Sequence, residues 1–439
     1  MVVAVCFQRG WNQPAMPVCA GPLFPETPMF ERVLRQRAKD ACRDRAARRG
    51  GSLRGALKAL RMQVKVPTMR WISALAAGPL DRRPRVVGDL DAQPPQRILV
   101  IRCDRIGDLL CSTPLIAALH RKWPEAGITL VGSPKNRAVA PLLPYLTPGP
   151  EFRRDPLAWV RLAMWLRRQR FDLAVSLRTE VLSGVLISAL SRAPVRMVAN
   201  ASPRTAPAFN LVLGCEDAHH LRRYWRAAQR LGVVFSAPRP VIEVPEAADR
   251  HAAEMLRALA IADAKPLVGV AIPNRADRRH RVRAWSSDAL VHFVKALVAH
   301  GACVVLLAAG VEQVEAVAVH AAVPQTRVLP NLTLAEMAGV QHRLDLWVST
   351  PTGPLHLADA AGTPTVMVCT DPFVLGWAPQ GARHRQVCAT DARDIAPEAV
   401  LAAALELLAL QPAAAQRRSR NVPGSMPAAS SRRRTPVSM

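Results

Sequence analysis

The sequence predicts an α/β protein made of two Rossmann-like parallel-sheet domains facing across a cleft. Three observations carry that reading. Short apolar runs such as Ile98–Ile101, Ile128–Val131 and the segment Asp172–Leu177 alternate with stretches of helical length, as strands buried on both faces do. A second series of the same kind starts near residue 266, with Leu267–Ala271, Cys303–Leu307, Leu344–Val348 and Thr365–Cys369. Several of these runs end in turns rich in Gly, Ser, Thr and charged residues, at the carboxyl edge where an open sheet meets its ligand.

Taken in order, residues 1–96 are expected to be a basic extension, partly helical and partly disordered. Residues 1–28 are Pro-rich without periodicity, and Met16 and Met29 are alternative starts. In the helical stretch that follows, Leu53, Ala56, Leu57, Leu60 and Val64 form one apolar stripe with Arg54, Lys58, Arg61 and Lys65 around it. That is a basic amphipathic helix, suited to an anionic membrane surface or to docking on its own domain. Residues 78–96 read as a Pro/Gly/charge-rich linker. The first Rossmann-like domain is expected over 97–255, with a helix over 109–122 after the first strand. The second is expected over 256–411, with helices near 286–300, 311–321, 333–342, 354–361 and 397–411. Residues 412–439, rich in Arg, Ser, Pro and Ala, are expected to be a disordered basic tail.

Composition narrows the partner. The chain of 439 residues carries 59 Lys+Arg against 33 Asp+Glu, a formal charge of +26. Residues 1–97 hold 18 basic and 7 acidic residues, and 412–439 hold six Arg and no acid, so +17 of the excess lies in the two extensions. An anionic partner is implied: a phosphorylated small molecule, an anionic membrane surface or nucleic acid. Aromatic residues at 5% are sparse for a protein that stacks many bases. The nine Cys show no CxxC or zinc spacing, so reduced thiols packing as small hydrophobes are expected, with no metal. No apolar run approaches the length of a spanning helix.

Three segments carry chemistry. The first, Arg102-Cys-Asp-Arg-Ile-Gly-Asp108, follows the first strand and opens a helix. Gly107 permits a tight turn, and Asp108 near a helix start is suited to serve as a general base or as a helix cap. The second, Ser349-Thr-Pro-Thr-Gly-Pro-Leu-His356, runs from a strand into a helix; Thr352, Gly353 and the first helical turn could hold a phosphate, with His356 one turn inside. An ordinary capped helix with a core-facing His fits the same pattern. The third, Pro273-Asn-Arg-Ala-Asp-Arg-Arg-His-Arg-Val-Arg-Ala-Trp285, is a basic loop able to neutralise a diphosphate without a metal, or a solvated charged loop. No GxGxxG supports a nicotinamide or flavin site.

Together, in this order, these segments resemble glycosyltransferase family 9, the ADP-heptose–lipopolysaccharide heptosyltransferases. The likeness runs from about Arg97 to Leu410, through RILVIRCDRIGDLLCSTPLIAALHRKWPEAGITLV, FDLAVSLRTEVLSG, HHLRRYWRAAQRLGV, RVRAW, LTLAEMAGVQHRLDLWVSTPTGPLHLADAAGTPTV and CTDPFVLGWAP. It implies a GT-B architecture and metal-independent, inverting transfer of a sugar from a nucleotide diphosphate. It needs no cofactor beyond the donor, and the implied acceptor is a lipid-linked saccharide at the cytoplasmic face of the inner membrane. Asp108 matches the family's catalytic base and Arg283 a basic residue on the donor phosphates. Thr352, Gly353 and His356 match the donor-binding turn, Glu312 the acidic residue for the nucleotide ribose, and Asn274 lies in the donor-side turn after the Leu267 strand. The chain departs from the family where Pro351 replaces an Asp usually found before Thr-Gly. That change keeps open a catalytically weakened nucleotide-sugar-binding protein; the charge alone motivates a nucleic-acid binder.

Overall fold

Strands and helices alternate along the described residues, and their order is a double repeat. The computed structural model describes residues 83–410 except 154, 179–181, 265, 274–284, 330, 371 and 390. The expected helix over 53–65, the rest of residues 1–82, the tail from 411, and both Asn274 and Arg283 therefore lie outside the described residues.

The first half contains α1 (Val87–Ala92), β1 (Arg97–Arg102), α2 (Ile106–Lys122), β2 (Gly127–Gly132), β3 (Leu146–Pro148), α3 (Pro156–Gln169), β4 (Leu173–Ser176), α4 (Leu182–Leu190), β5 (Val195–Val198), β6 (Leu211–Val212) and α5 (His220–Arg230). The second contains α6 (Glu246–Ala258), β7 (Leu267–Ala271), α7 (Ser287–Ala299), β8 (Cys303–Leu307), α8 (Gln313–Ala322), β9 (Arg327–Val328), α9 (Leu334–Arg343), β10 (Leu346–Ser349), α10 (Gly353–Ala360), β11 (Thr365–Cys369), β12 (His384–Cys388) and α11 (Pro397–Ala409).

The two six-stranded sheets run β3-β2-β1-β4-β5-β6 and β12-β11-β10-β7-β8-β9, and every strand pair is parallel. In each sheet the chain starts at a central strand, winds to one edge, then returns to wind to the other. Each sheet thus has one switch point, beside β1 and β4 in the first and beside β7 and β10 in the second. Ligands of open α/β sheets bind at the carboxyl ends of strands at such points. The turns after β1 and β10 carry Asp108 and Thr352, and the loop after β7 is the one that carries Asn274 and Arg283.

Successive β1 residues feed opposite cores. Ile98 and Val100 join the α2 and α5 side, while Leu99 and Ile101 join Leu162 and Leu166 of α3. Pro114 lies inside α2, where its ring removes a backbone donor, and the Thr113 hydroxyl donates to the Leu110 carbonyl at 2.7 Å in its place. Helix α6 spans residues 255 and 256, where the sequence places the domain boundary, and packs through Ala252 and Leu256 with Leu267 of the second half. Gly339 on α9 allows that packing, because a methyl group there would stand 2.5 Å from the Ala248 carbonyl oxygen.

Two local readings change. The stretch expected as a linker contains α1, whose Leu90 is buried in the first core. The expectation of reduced thiols fails at Cys369 and Cys388, which face each other in register on β11 and β12 and form a disulfide. Cys103, Cys111, Cys215 and Cys303 are free. Among the described residues, no helix is long and apolar enough to cross a membrane.

Candidate active site

The site is built where helix α2 of the first half meets helix α10 of the second. Both begin directly after a strand, so the amino ends of both point into the space between the sheets. A methyl group on Gly107 would stand 2.4 Å from His356 Cδ2, and one on Gly353 would stand 3.3 Å from Ile106 Cγ2. Gly107 is therefore required by close approach to His356; it is already helical, and the tight turn expected there is absent.

Asp108 occupies the first turn of α2. Its Oδ1 accepts from the Trp377 indole N–H at 3.1 Å and lies 3.3 Å from Arg102 Nη2. Oδ2 accepts no hydrogen bond from the described residues. The carboxylate is partly exposed and caps no backbone N–H, and Oδ1 is the oxygen that is held.

Arg102 fixes this arrangement from beneath. Its Nη1 donates to the Tyr224 hydroxyl at 2.8 Å and to the Leu177 carbonyl, and its Nε lies 2.9 Å from Asp104 Oδ1. Burial opposes its charge, but Tyr224, Asp104 and Asp108 outweigh that and hold its pKa above the ordinary arginine value. Asp104 is itself buried, which pushes its carboxyl up to about 6 against the pull of Arg102. Arg178, at the carboxyl end of β4, lies 3.8 Å from Asp104 on the open side.

A clasp from the second half reaches across to α5. His219 Nε2 donates to the Ala378 carbonyl at 2.9 Å, and Gln380 Nε2 donates to the same carbonyl at 3.2 Å. His220 stacks on Trp377 with ring centroids 3.9 Å apart. Burial lowers the His219 pKa to about 4 and the His220 pKa to about 3, so both are neutral at physiological pH. Trp377 thus joins three things at once: its own loop, the α5 amino end and Asp108.

In the second half, Thr352 is the N-cap of α10 and makes no side-chain cap bond; its hydroxyl donates to the Thr350 carbonyl at 3.3 Å. In the first turn of α10, Pro354 has no N–H and the Leu355 N–H donates to the Thr352 carbonyl at 3.1 Å, so the Gly353 N–H is the group left to meet an anion. His356 is buried, its pKa lowered to about 4 by that burial, with Nδ1 3.7 Å from Cys111 Sγ. It is a neutral packing group between the halves. Glu312 ends the turn before α8, and its Oε1 is buried with no hydrogen-bond partner. The loop carrying Arg283 re-enters the described structure at Trp285, whose indole N–H donates to the Ile395 carbonyl at 2.9 Å. Among the described residues, no group of three His, Cys, Asp or Glu could hold a metal ion.

The structure therefore brings Asp108, Gly353 and His356 together, with Thr352 at the same helix end, and sets Glu312 on the turn after β8. Sequence reading missed Arg102, Asp104, Arg178, His219, His220 and Trp377. All six stand inside the segments that carry the resemblance, but nothing local in them announces an ion-pair network or a cross-domain stack.

The family model described as glycosyltransferase family 9 (heptosyltransferase) matches residues 159–403, more than half of the chain, starting beyond the Asp108 turn. No curated protein matches. Among solved structures, the glycosyl transferase family 9 protein of Veillonella parvula DSM 2008 is similar at TM-score 0.60 and 19% identity, over 72% of this chain and 98% of that one. The E. coli ADP-heptose lps heptosyltransferase II is similar at TM-score 0.57 and 19% identity, over 71% and 98%. E. coli heptosyltransferase WaaC with ADP is similar at TM-score 0.56 and 16% identity, over 71% and 99%. These likenesses support the two-sheet fold. The family match shows that the chain belongs to glycosyltransferase family 9, the heptosyltransferases.

Proposed function

We propose that the protein moves a heptose or related sugar from an ADP-sugar to a lipopolysaccharide core or similar lipid-linked saccharide, by metal-independent inverting displacement. The carrying observation is Asp108: a partly exposed carboxylate with one oxygen held by Arg102 and Trp377, in the helix turn that packs against the first turn of α10 through Gly107–His356 and Ile106–Gly353. Oδ2 takes the proton of the acceptor hydroxyl as its oxygen bonds to the anomeric carbon. The bond from that carbon to the diphosphate oxygen breaks on the opposite face, and the electron pair leaves with the nucleotide. Arg283, with Asn274 in the same loop, and the Gly353 backbone N–H beside Thr352 at the start of α10 stabilise the departing charge. His356 sets the spacing of the two helices. Glu312, with an unpartnered buried oxygen, binds the nucleotide ribose. The expected location is the cytoplasmic face of the inner membrane, held by the basic segment 53–65, with no nucleic acid partner.

The test is transfer of labelled sugar from ADP-, UDP- and GDP-linked heptose to a truncated lipopolysaccharide core. Asp108→Asn is expected to lower kcat by about 10²- to 10⁴-fold while calorimetry shows unchanged donor binding. Equal turnover by this variant would remove Asp108 as the base. Pro351 favours a second reading, a nucleotide-sugar-binding protein with weakened catalysis. Donor binding without transfer to any acceptor would select it.

A further inference from the structure

Helix α3 carries an apolar row that nothing among the described residues covers. Leu157, Val160 and Met164 are 58%, 54% and 49% exposed, while Leu162 and Leu166 on the opposite face are buried in the first core. At 100° per residue the three lie within one narrow sector. Arg161 and Arg168 border that sector on one side and Arg167 on the other, all exposed, and Arg170 closes the helix. No acidic residue occurs from Pro156 to Arg170, and none of these four arginines has an acidic partner among the described residues.

We infer that this face of α3 docks on an anionic lipid surface, with Leu157, Val160 and Met164 entering the interface and the arginines engaging lipid phosphates. Charge selects this occupant. The chain's own amino-terminal segment is strongly basic, with 18 basic against 7 acidic residues over 1–97, and would be repelled. A second copy presenting the same face would oppose arginine to arginine. Apolar side chains in the centre with guanidinium groups at the flanks match a lipid boundary, where long basic side chains extend to the phosphates. A second exposed row, Val311, Val314 and Val317 on the other half, is accompanied by Glu312 and Glu315 and lacks the arginines, so it serves as an internal reference. The α3 amino end lies near the carboxyl edge of the first sheet, since Phe152 N–H donates to the Gly132 carbonyl at the end of β2. A docked α3 therefore sets that edge, and the Asp108 turn with it, near the lipid.

The inference shares with the proposed function the expectation of an anionic membrane, but names a contact separate from the segment 53–65. It is tested on the full chain by hydroxyl-radical footprinting with vesicles of phosphatidylcholine alone or with added phosphatidylglycerol. Oxidation of Met164 is expected to fall several-fold with phosphatidylglycerol only, while Val314 is unchanged. The triple variant Arg161→Glu, Arg167→Glu, Arg168→Glu alters only exposed side chains and should melt as the parent does. It should lose Met164 protection, with affinity through this face falling about five-fold per arginine. Sedimentation of the chain with vesicles while Met164 stays reactive overturns the α3 contact and leaves the peripheral-membrane reading standing. No sedimentation overturns both. Protection of Met164 without vesicles, rising with protein concentration, assigns the face to a second copy and overturns the lipid.

Discussion

Gly107→Ala tests the joint between the halves with a single methyl group. Built on the existing backbone, its Cβ would lie 2.4 Å from His356 Cδ2, 3.0 Å from Nε2 and 3.4 Å from Cγ. Carbon contacts start at about 3.5 Å, so the ring must retreat by about 1 Å. The ring has little room to turn aside, since it is 6% exposed and bounded by Cys111 on α2. The retreat is therefore passed to α10 and displaces the turn at Thr352 and Gly353 from Asp108. Overpacking of this kind costs about 1–3 kcal/mol, or about 2–4 °C in melting temperature per kcal/mol for a domain of 150–250 residues. A misplacement of about 1 Å between reacting groups costs up to about 100-fold in rate. Differential scanning fluorimetry and kcat/KM for sugar transfer read the two effects. The double variant Gly107→Ala, His356→Ala removes the obstructing ring and should melt above the sum of the two single losses. Wild-type melting and wild-type kcat/KM in Gly107→Ala would refute the close approach.

Three further outcomes are expected. Trp377→Phe keeps the stack on His220 but deletes the N–H to Asp108, and should lower kcat by about 5- to 10-fold, consistent with one lost hydrogen bond, with KM for the donor unchanged. Asp359, buried and 3.4 Å from His384, has its carboxyl pushed up to about 7 by burial, while burial lowers His384 to about 3; the pair stands uncharged in slightly acidic solution. Because the fold favours the protonated carboxyl, its contribution is complete below the ordinary carboxylate value and lost as pH rises through about 7. The wild type should therefore lose melting temperature relative to Asp359→Asn from about pH 5 to about pH 8. Finally, thiol titration of the denatured, unreduced chain should give at least two fewer thiols than the reduced chain, and Cys369→Ser should restore the odd partner, Cys388, to the count.

Much of the frame was legible in the sequence because buried parallel strands with apolar side chains on both faces read as continuous runs. β1, β2, β4, β7, β8, β10 and β11 were visible on that ground. β5 and β12 were not, because each contains a buried arginine. Arg196 sits in β5, and Arg385 in β12 is held by Glu406 at 2.6 Å. An ion pair formed with a helix twenty-one residues away leaves no trace in a run of apolar residues. The same limit applies at the site. Asp108 stood out as a carboxylate at a helix start, but the indole that orients it lies 269 residues along the chain. Only folding brings the two together.

That long-range bond makes the aim of the carboxylate a property of the whole molecule. Asp108 belongs to the first half and Trp377 to the second, so any separation of the two sheets breaks the bond before it moves either residue within its own half. With the halves apart, Arg102 still holds Oδ1 but the indole no longer limits its rotation. If Asp108 is the base proposed above, its orientation depends on the contact between the two halves, and a loosened contact would leave proton transfer poorly aimed.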